Sequence, residues 1–347
     1  MKMPAMRLLA PSLCTLFTLC LCVQEASAQV DSIYEYGVAS ATRGSLEGIS
    51  KDGVAVKVGG NTKNIPSSKI RKINFGGDPA GLTRARDLYA DGQYENALKE
   101  LEEIDKGKDY REVINVDLAF YTFASNANLA LAGRQSRETV AGQGIKLVTA
   151  NPDSFHFYSM ARLLGDLALS IKNYDAANKY YGALRNAAAI ETKMLGEYLV
   201  AVVTMEKGDN DAAIAMLDKV AAVKVQSTEG LRLKNLAKAA SAVAMSRSGK
   251  GAEGLKLASE LIGELNQTDI EMSAKVYNAQ GASYEANDDL EGAILAYLHT
   301  HLMYSGQTDA HIVALKRLVE LWPKVGHPER AAAARQELQQ RYPGAAS

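Results

Sequence analysis

Pairs of small residues set twelve positions apart govern this chain. Ala85 and Ala97, Gly165 and Ala177, Ala201 and Ala213, Ala242 and Gly254, and Gly281 and Ala293 all keep the spacing, with a turn residue between the members of each pair. In the first four, apolar residues follow four and seven positions later: Leu101 and Ile104, Tyr181 and Leu184, Leu217 and Val220, Ala258 and Leu261. The fifth is looser, with Tyr297 and then Thr300. The physical reason is close backbone approach. Where two antiparallel helices of a hairpin cross, a side chain larger than methyl would push their axes beyond the usual ~8–10 Å. Five repetitions of this device specify stacked helical hairpins, each exposing an apolar face that only its neighbours can bury.

These residues resemble the tetratricopeptide repeat, over roughly 82–342. The resemblance implies helix-turn-helix units in a mainly all-α, right-handed solenoid. With a degenerate unit around 112–149 and a terminal one around 310–342, about seven hairpins are expected, each of about 37 residues against about 34 in the family. The excess falls in segments such as Asp105 to Arg111 and Val223 to Gly230. The second unit departs furthest, with Val140 and Gly144 where a small and a bulky residue would stand. The last unit carries Glu329, Arg330, Arg335, Gln336, Glu337, Gln339 and Gln340, polar enough for a terminal cap.

Ahead of the helices, 29–78 reads as a separate small β module, so the fold class is α+β by segments. Val54, Val56 and Val58 alternate with Ala55 and Lys57, the period of a half-buried strand. Lys51-Asp52-Gly53 is a hairpin turn and Gly59-Gly60-Asn61 the next. Ile70, Ile73 and Phe75 suggest a last strand after the Pro66-Ser67-Ser68 loop, and Tyr36–Thr42 and Ser45–Ser50 are candidate partners upstream. In topology this resembles the small SH3-like or Sm-like barrels, which implies a closed β-barrel. So small a module buries little apolar area and is expected to lean on the first helices. Asp78-Pro79 marks the change of period: Asp78 is the expected helix cap, and the solenoid occupies 79–343.

The N-terminus supplies an address. Lys2 and Arg7 precede an apolar run from Leu8 to Val23, and Ala26-Ser27-Ala28 follows as a cleavage signal. The run of ~16 residues falls short of the ~20 that span a bilayer. A cleaved secretory peptide over 1–28 is therefore expected, with export to the periplasm or beyond and no transmembrane segment afterwards. Cys14, Cys20 and Cys22 all lie inside it, so the mature chain has no disulfide, thiol nucleophile or thiolate metal site. Lys plus Arg number 39 against 40 Asp plus Glu. That balance offers nucleic acid no attracting field, and the seven basic and five acidic residues of 29–78 only make a slightly basic surface.

Apparent chemical motifs dissolve in this frame. Gly249-Lys-Gly251-Ala-Glu-Gly254 has the letters of a dinucleotide loop but follows a helical stretch and sits at a repeat turn. His299 and His301 are two apart, which sends them to different sides of a helix, while His156, His311 and His327 stand apart from them. No hydrolase elbow or phosphate loop occurs, so neither catalytic residues nor cofactor nor metal is expected. By their offset from the small residues, Tyr89 and Tyr198 should face the concave groove, with Arg86, Arg162, Asp166, Met205, Lys275 and Asn278 on the same side. In the repeat family that groove holds an extended peptide or a partner helix, and rigid aromatics with a few charges suit such recognition. The Lys/Asn arrangement that clamps a peptide carboxylate in some members does not recur. The expectation is a non-enzymatic exported scaffold binding a protein or peptide of the cell envelope; the alternative is a glycan- or wall-binding protein using the β module.

Overall fold

A computed structural model describes residues 30–345 except 106 and 267; the signal-peptide expectation for 1–28 lies outside the described residues. Five strands come first: β1 (Asp31–Glu35), β2 (Thr42–Ser50), β3 (Gly53–Val58), β4 (Asn61–Pro66) and β5 (Ile70–Asn74). Fourteen helices follow among the described residues, in seven antiparallel hairpins: α1 (Ala80–Ala90) with α2 (Tyr94–Glu102), α3 (Glu112–Leu131) with α4 (Arg137–Ala150), α5 (Phe157–Ser170) with α6 (Tyr174–Leu184), α7 (Ile190–Glu206) with α8 (Asn210–Ala222), α9 (Thr228–Arg247) with α10 (Gly251–Gly263), α11 (Ile270–Ala286) with α12 (Leu290–Met303), and α13 (Thr308–Leu321) with α14 (Pro328–Arg341).

The small residues stand where the spacing places them. Ala85, Ala97, Ala177, Ala201, Ala213, Ala242 and Ala293 are fully buried. A Cβ on Gly254 would lie 2.7 Å from the Ala242 carbonyl oxygen, and one on Gly281 would lie 2.8 Å from the Tyr297 ring. The second hairpin inverts the arrangement. Phe123 of α3 fills the space beside Gly144 that a large side chain of α4 would otherwise occupy, so the crossing is packed from the opposite partner.

All seven hairpins also turn the same way. Gly92, Gly133, Lys172, Gly208, Gly249, Asp288 and Gly326 each hold a positive φ just past the first helix or its 3₁₀ extension, the left-handed stop that glycine adopts most cheaply. After four of these turns a Ser, Asn or Asp side chain caps the next helix: Ser136, Asn173, Asp209 and Asp289 each accept an amide of the helix they open.

The expected β-barrel is not formed. The strands make an open antiparallel sheet in the order β4-β3-β2-β1-β5, leaving β4 and β5 as its two edges. Closure is replaced by docking. Ile33, Val54, Val56, Ile65, Ile70, Ile73 and Phe75 share one continuous core with α1 to α5, so the apolar face is covered by helices and not by the sheet itself. Tyr36–Thr42 is mostly a turn, and β1 lies upstream of it. Asp78 does not cap α1 either: Pro79 holds the cap position, and the Asp78 carboxylate accepts the Phe75 amide at 2.7 Å and faces Arg86. No described helix is long and apolar enough to cross a membrane.

Candidate functional site

Each second helix packs on the first helix of the next hairpin, and at five of the six junctions the first helices also pack on each other: α1 on α3, α3 on α5, α7 on α9, α9 on α11 and α11 on α13. First helices therefore line the inside of the bend. The bend is tight enough to bring distant parts together. Arg137, opening α4, donates from its guanidinium to the Gly344 carbonyl at 3.1 Å. On the sheet, Asp52 at the β2–β3 turn accepts from the Tyr158 hydroxyl of α5 at 3.0 Å and from the Ala188 amide before α7 at 2.8 Å.

A charged row runs along the inner wall. Arg162 of α5 faces Asp166 one turn on at 3.9 Å, and the Tyr181 hydroxyl donates to Asp166 at 2.7 Å. Arg232 of α9 reaches Asp269 at 2.7 Å, Glu229 at 3.6 Å and Glu271 of α11. Lys275 of α11 bridges Glu271 at 3.5 Å and Asp309 of α13 at 3.2 Å. Burial pushes the Glu271 carboxyl upward, but Lys275, Arg232 and Arg162 together hold it below its ordinary value. Asp309 is likewise held down against burial, by Lys275 first. Burial raises Asp166 in spite of Arg162. Arg162 is also in Coulombic reach of Glu271 and Asp309, three and four hairpins further along the chain.

Of the eight residues singled out by sequence, Tyr89, Arg162, Asp166 and Lys275 reach this wall with accessible surface. Tyr89 is half-buried against Tyr94, Phe120 and Tyr121, at ring separations of 5.6, 6.5 and 5.4 Å, and burial pushes its hydroxyl up to about 12. Tyr198 is largely covered, with its hydroxyl in Coulombic reach of Lys275. Met205 is buried against Ala213 and Ala244. Asn278 is buried and donates to the Ala310 carbonyl at 2.8 Å, tying α11 to α13.

Arg86 is wholly inside the protein. It pairs with Asp117 of α3 at 2.6 Å and with Asp78 at 2.6 Å, and it stacks over the Phe75 ring. His156 completes the network with Nε2 2.6 Å from the other Asp117 oxygen and its ring 3.6 Å above Phe120. This cluster fastens the end of the sheet to the first three hairpins. Arg86 therefore does not line the groove as expected: Asp78 and Asp117, from segments that helical offset does not encode, draw it into the interior.

Sequence reasoning missed Tyr36, Arg232, Glu271 and Asp309. Tyr36 projects from the β1–β2 turn, exposed, into Coulombic reach of Arg162 and Glu229. Its position depends on how the sheet docks, which no local pattern encodes. The glycine motif is a hairpin turn, as expected: Gly249 supplies the positive φ, and Gly254 gives close approach to both Ala242 and Ser283. The histidines are less scattered than their spacing suggests, because α12, α13 and α14 bring His301, His311 and Glu337 together.

These features define a class: an all-α solenoid of tetratricopeptide-like hairpins with an open sheet docked at its start. No family model matches the chain, and no curated protein matches it. Among solved structures it is similar to a Rap protein crystallised in complex with Competence and Sporulation Factor, at 13% identity, over 76% of each chain, with a TM-score of 0.54. It is also similar to a tetratricopeptide repeat protein from Parabacteroides merdae, at 11% identity, over 75% of this chain and 91% of that one, with a TM-score of 0.51. At such identities the likeness is one of fold.

Proposed function

We propose that this protein is a non-enzymatic exported adaptor that binds another protein of the cell envelope in the bend of its solenoid. The observation that carries the reading is the row from Arg162 through Arg232 to Lys275, interleaved with Asp166, Glu271 and Asp309 on one inner wall. Ion pairs that line a recess are partly desolvated and already oriented, so an extended segment carrying both signs of charge can exchange into them at little ordering cost. Tyr89 and Tyr36 add rigid aromatic surface at one end. The similar Rap protein was crystallised in complex with Competence and Sporulation Factor, which supports a ligand-holding role for a stack of this shape. The leader-like segment 1–28 supports the envelope address.

The test is affinity capture from an envelope extract with the mature protein, alongside a variant carrying Arg162→Glu and Lys275→Glu. A reproducible protein partner that is lost with the variant supports the reading. Absence of any partner, or a partner held equally by both, would remove it.

A further inference from the structure

We infer that His301, His311 and Glu337 form a site for a divalent transition metal of the zinc class, which staples the last three helices together. One donor atom from each lies within 4.8 Å of the other two, and each comes from a different helix. His301 Nδ1 is 2.8 Å from His311 Nε2. Glu337 oxygens lie 3.8 Å from His301 Nε2 and 3.8 Å from His311 Nε2. The 2.8 Å contact is made by His301 Nδ1 and the 3.8 Å contact by its Nε2, so an ion takes one of the two ring nitrogens. Donors about 2.0–2.2 Å from a tetrahedral ion are separated by roughly 3.3–3.6 Å, inside the 4.8 Å that encloses one donor from each residue.

The surroundings orient the central ligand. His311 is fully buried, and its Nδ1 is occupied by the Tyr342 hydroxyl at 2.8 Å. With that nitrogen engaged, Nε2 is the atom turned toward His301 and Glu337. A hydrogen-bonded second nitrogen is the usual means of fixing a metal-binding imidazole. Tyr342 is itself held by the Ser305 carbonyl at 3.4 Å, and Arg341 steadies Glu337 at 3.1 Å. His301 is partly exposed, so water can supply the fourth ligand. Two imidazoles and one carboxylate, with no thiolate, suit zinc or its neighbours and not magnesium or calcium. Without an ion, the two imidazoles satisfy each other through a single hydrogen bond, a contact the incoming metal replaces.

The experiment is calorimetric titration of the untagged, chelator-treated mature protein with zinc chloride, repeated with magnesium chloride. Saturation at one zinc per chain is expected, with a higher thermal midpoint and no response to magnesium. His301→Ala and Glu337→Gln should each weaken zinc at least tenfold while far-ultraviolet dichroism stays unchanged. Tyr342→Phe, which keeps the ring and removes the orienting hydroxyl, should weaken it about tenfold. Cobalt in place of zinc should give the visible absorption of a four-coordinate site, absent from His301→Ala. His299→Ala should change nothing. No stoichiometric uptake by the unaltered protein, equal uptake of magnesium, or unchanged affinity in both His301→Ala and Glu337→Gln would overturn the assignment. None of these outcomes depends on finding a protein partner.

Discussion

Gly344, just past the last helix, stands back to back with Gly133 in the α3–α4 turn: a Cβ on Gly344 would lie 2.6 Å from Gly133 Cα. Two parts of the solenoid far apart in sequence are therefore in contact across its bend. Gly133 needs its own φ of +79°, whereas Gly344 has no such requirement. Substitution at Gly344 consequently tests the contact without straining a turn. Gly344→Val should open the stack, raising the radius of gyration in small-angle scattering, with less than ~1 kcal/mol lost in stability because Gly344 lies outside the α-helices and needs no special φ. Arg137→Ala should open it in the same direction. An unchanged radius in both would show that the curvature is set by hairpin packing alone.

Arg86 carries a larger share of stability. Asp78 and Asp117 are both buried, and one guanidinium serves both, Nη1 and Nη2 facing Asp78, and Nε and Nη2 facing Asp117. Removing it leaves two carboxylates without their cation, so Arg86→Ala should cost about 3–5 kcal/mol. Arg86→Lys should recover little of that, since a single ammonium cannot reproduce the forked geometry. Urea unfolding measures both.

The turns offer a gain. Lys172 holds a φ of 58° and Asp288 a φ of 60°, where five sister hairpins have glycine. A left-handed conformation costs an L-residue roughly 1–2 kcal/mol, least for Asn and Asp. Glycine returns part of that through its greater freedom in the unfolded chain, so Lys172→Gly should stabilise by about 1 kcal/mol. Asp288→Gly should gain less. Thermal melts of the two variants should rank them in that order.

These turns also show what could be read from the sequence. The twelve-residue spacing located the hairpin crossings because close packing admits few residue types, and Ala85, Ala201 and Gly254 stand where that constraint places them. The strand periods of Val54 to Val58 were legible for the same reason. Closure of the sheet was not: period-2 alternation specifies that one face is buried, and says nothing of whether strands or helices cover it. Here α1 to α5 do so, around Ile33 and Val56. The site divides along the same line. Arg162 and Lys275 reach the inner wall by helical offset alone. Arg86 is withdrawn by Asp78 and Asp117, and His301 and His311 converge on Glu337 only when the last hairpin folds back.

Buried tyrosines set the alkaline limit. Burial pushes Tyr89 up to about 12 and holds Tyr121, Tyr181 and Tyr297 well above the ordinary phenol value of 10.0. A phenol whose folded-state value exceeds its unfolded one keeps its proton in the native chain after the unfolded chain has lost it. The native state then binds more protons, and stability falls as pH rises. The loss begins near pH 10, where the unfolded tyrosines ionise, and for Tyr89 levels off near pH 12. Each such group contributes a slope of up to about 1.4 kcal/mol per pH unit within its window. Lys275, raised by Tyr198, Asp309 and Glu271 against the opposing effect of burial, has the same sign, because it too stays protonated longer in the folded chain. The urea midpoint should accordingly be lower at pH 11 than at pH 9. Absorbance at 295 nm in the folded protein should miss the buried phenols and recover them only on unfolding. Full titration of every tyrosine near pH 10 with the helical signal intact would contradict this account of the core.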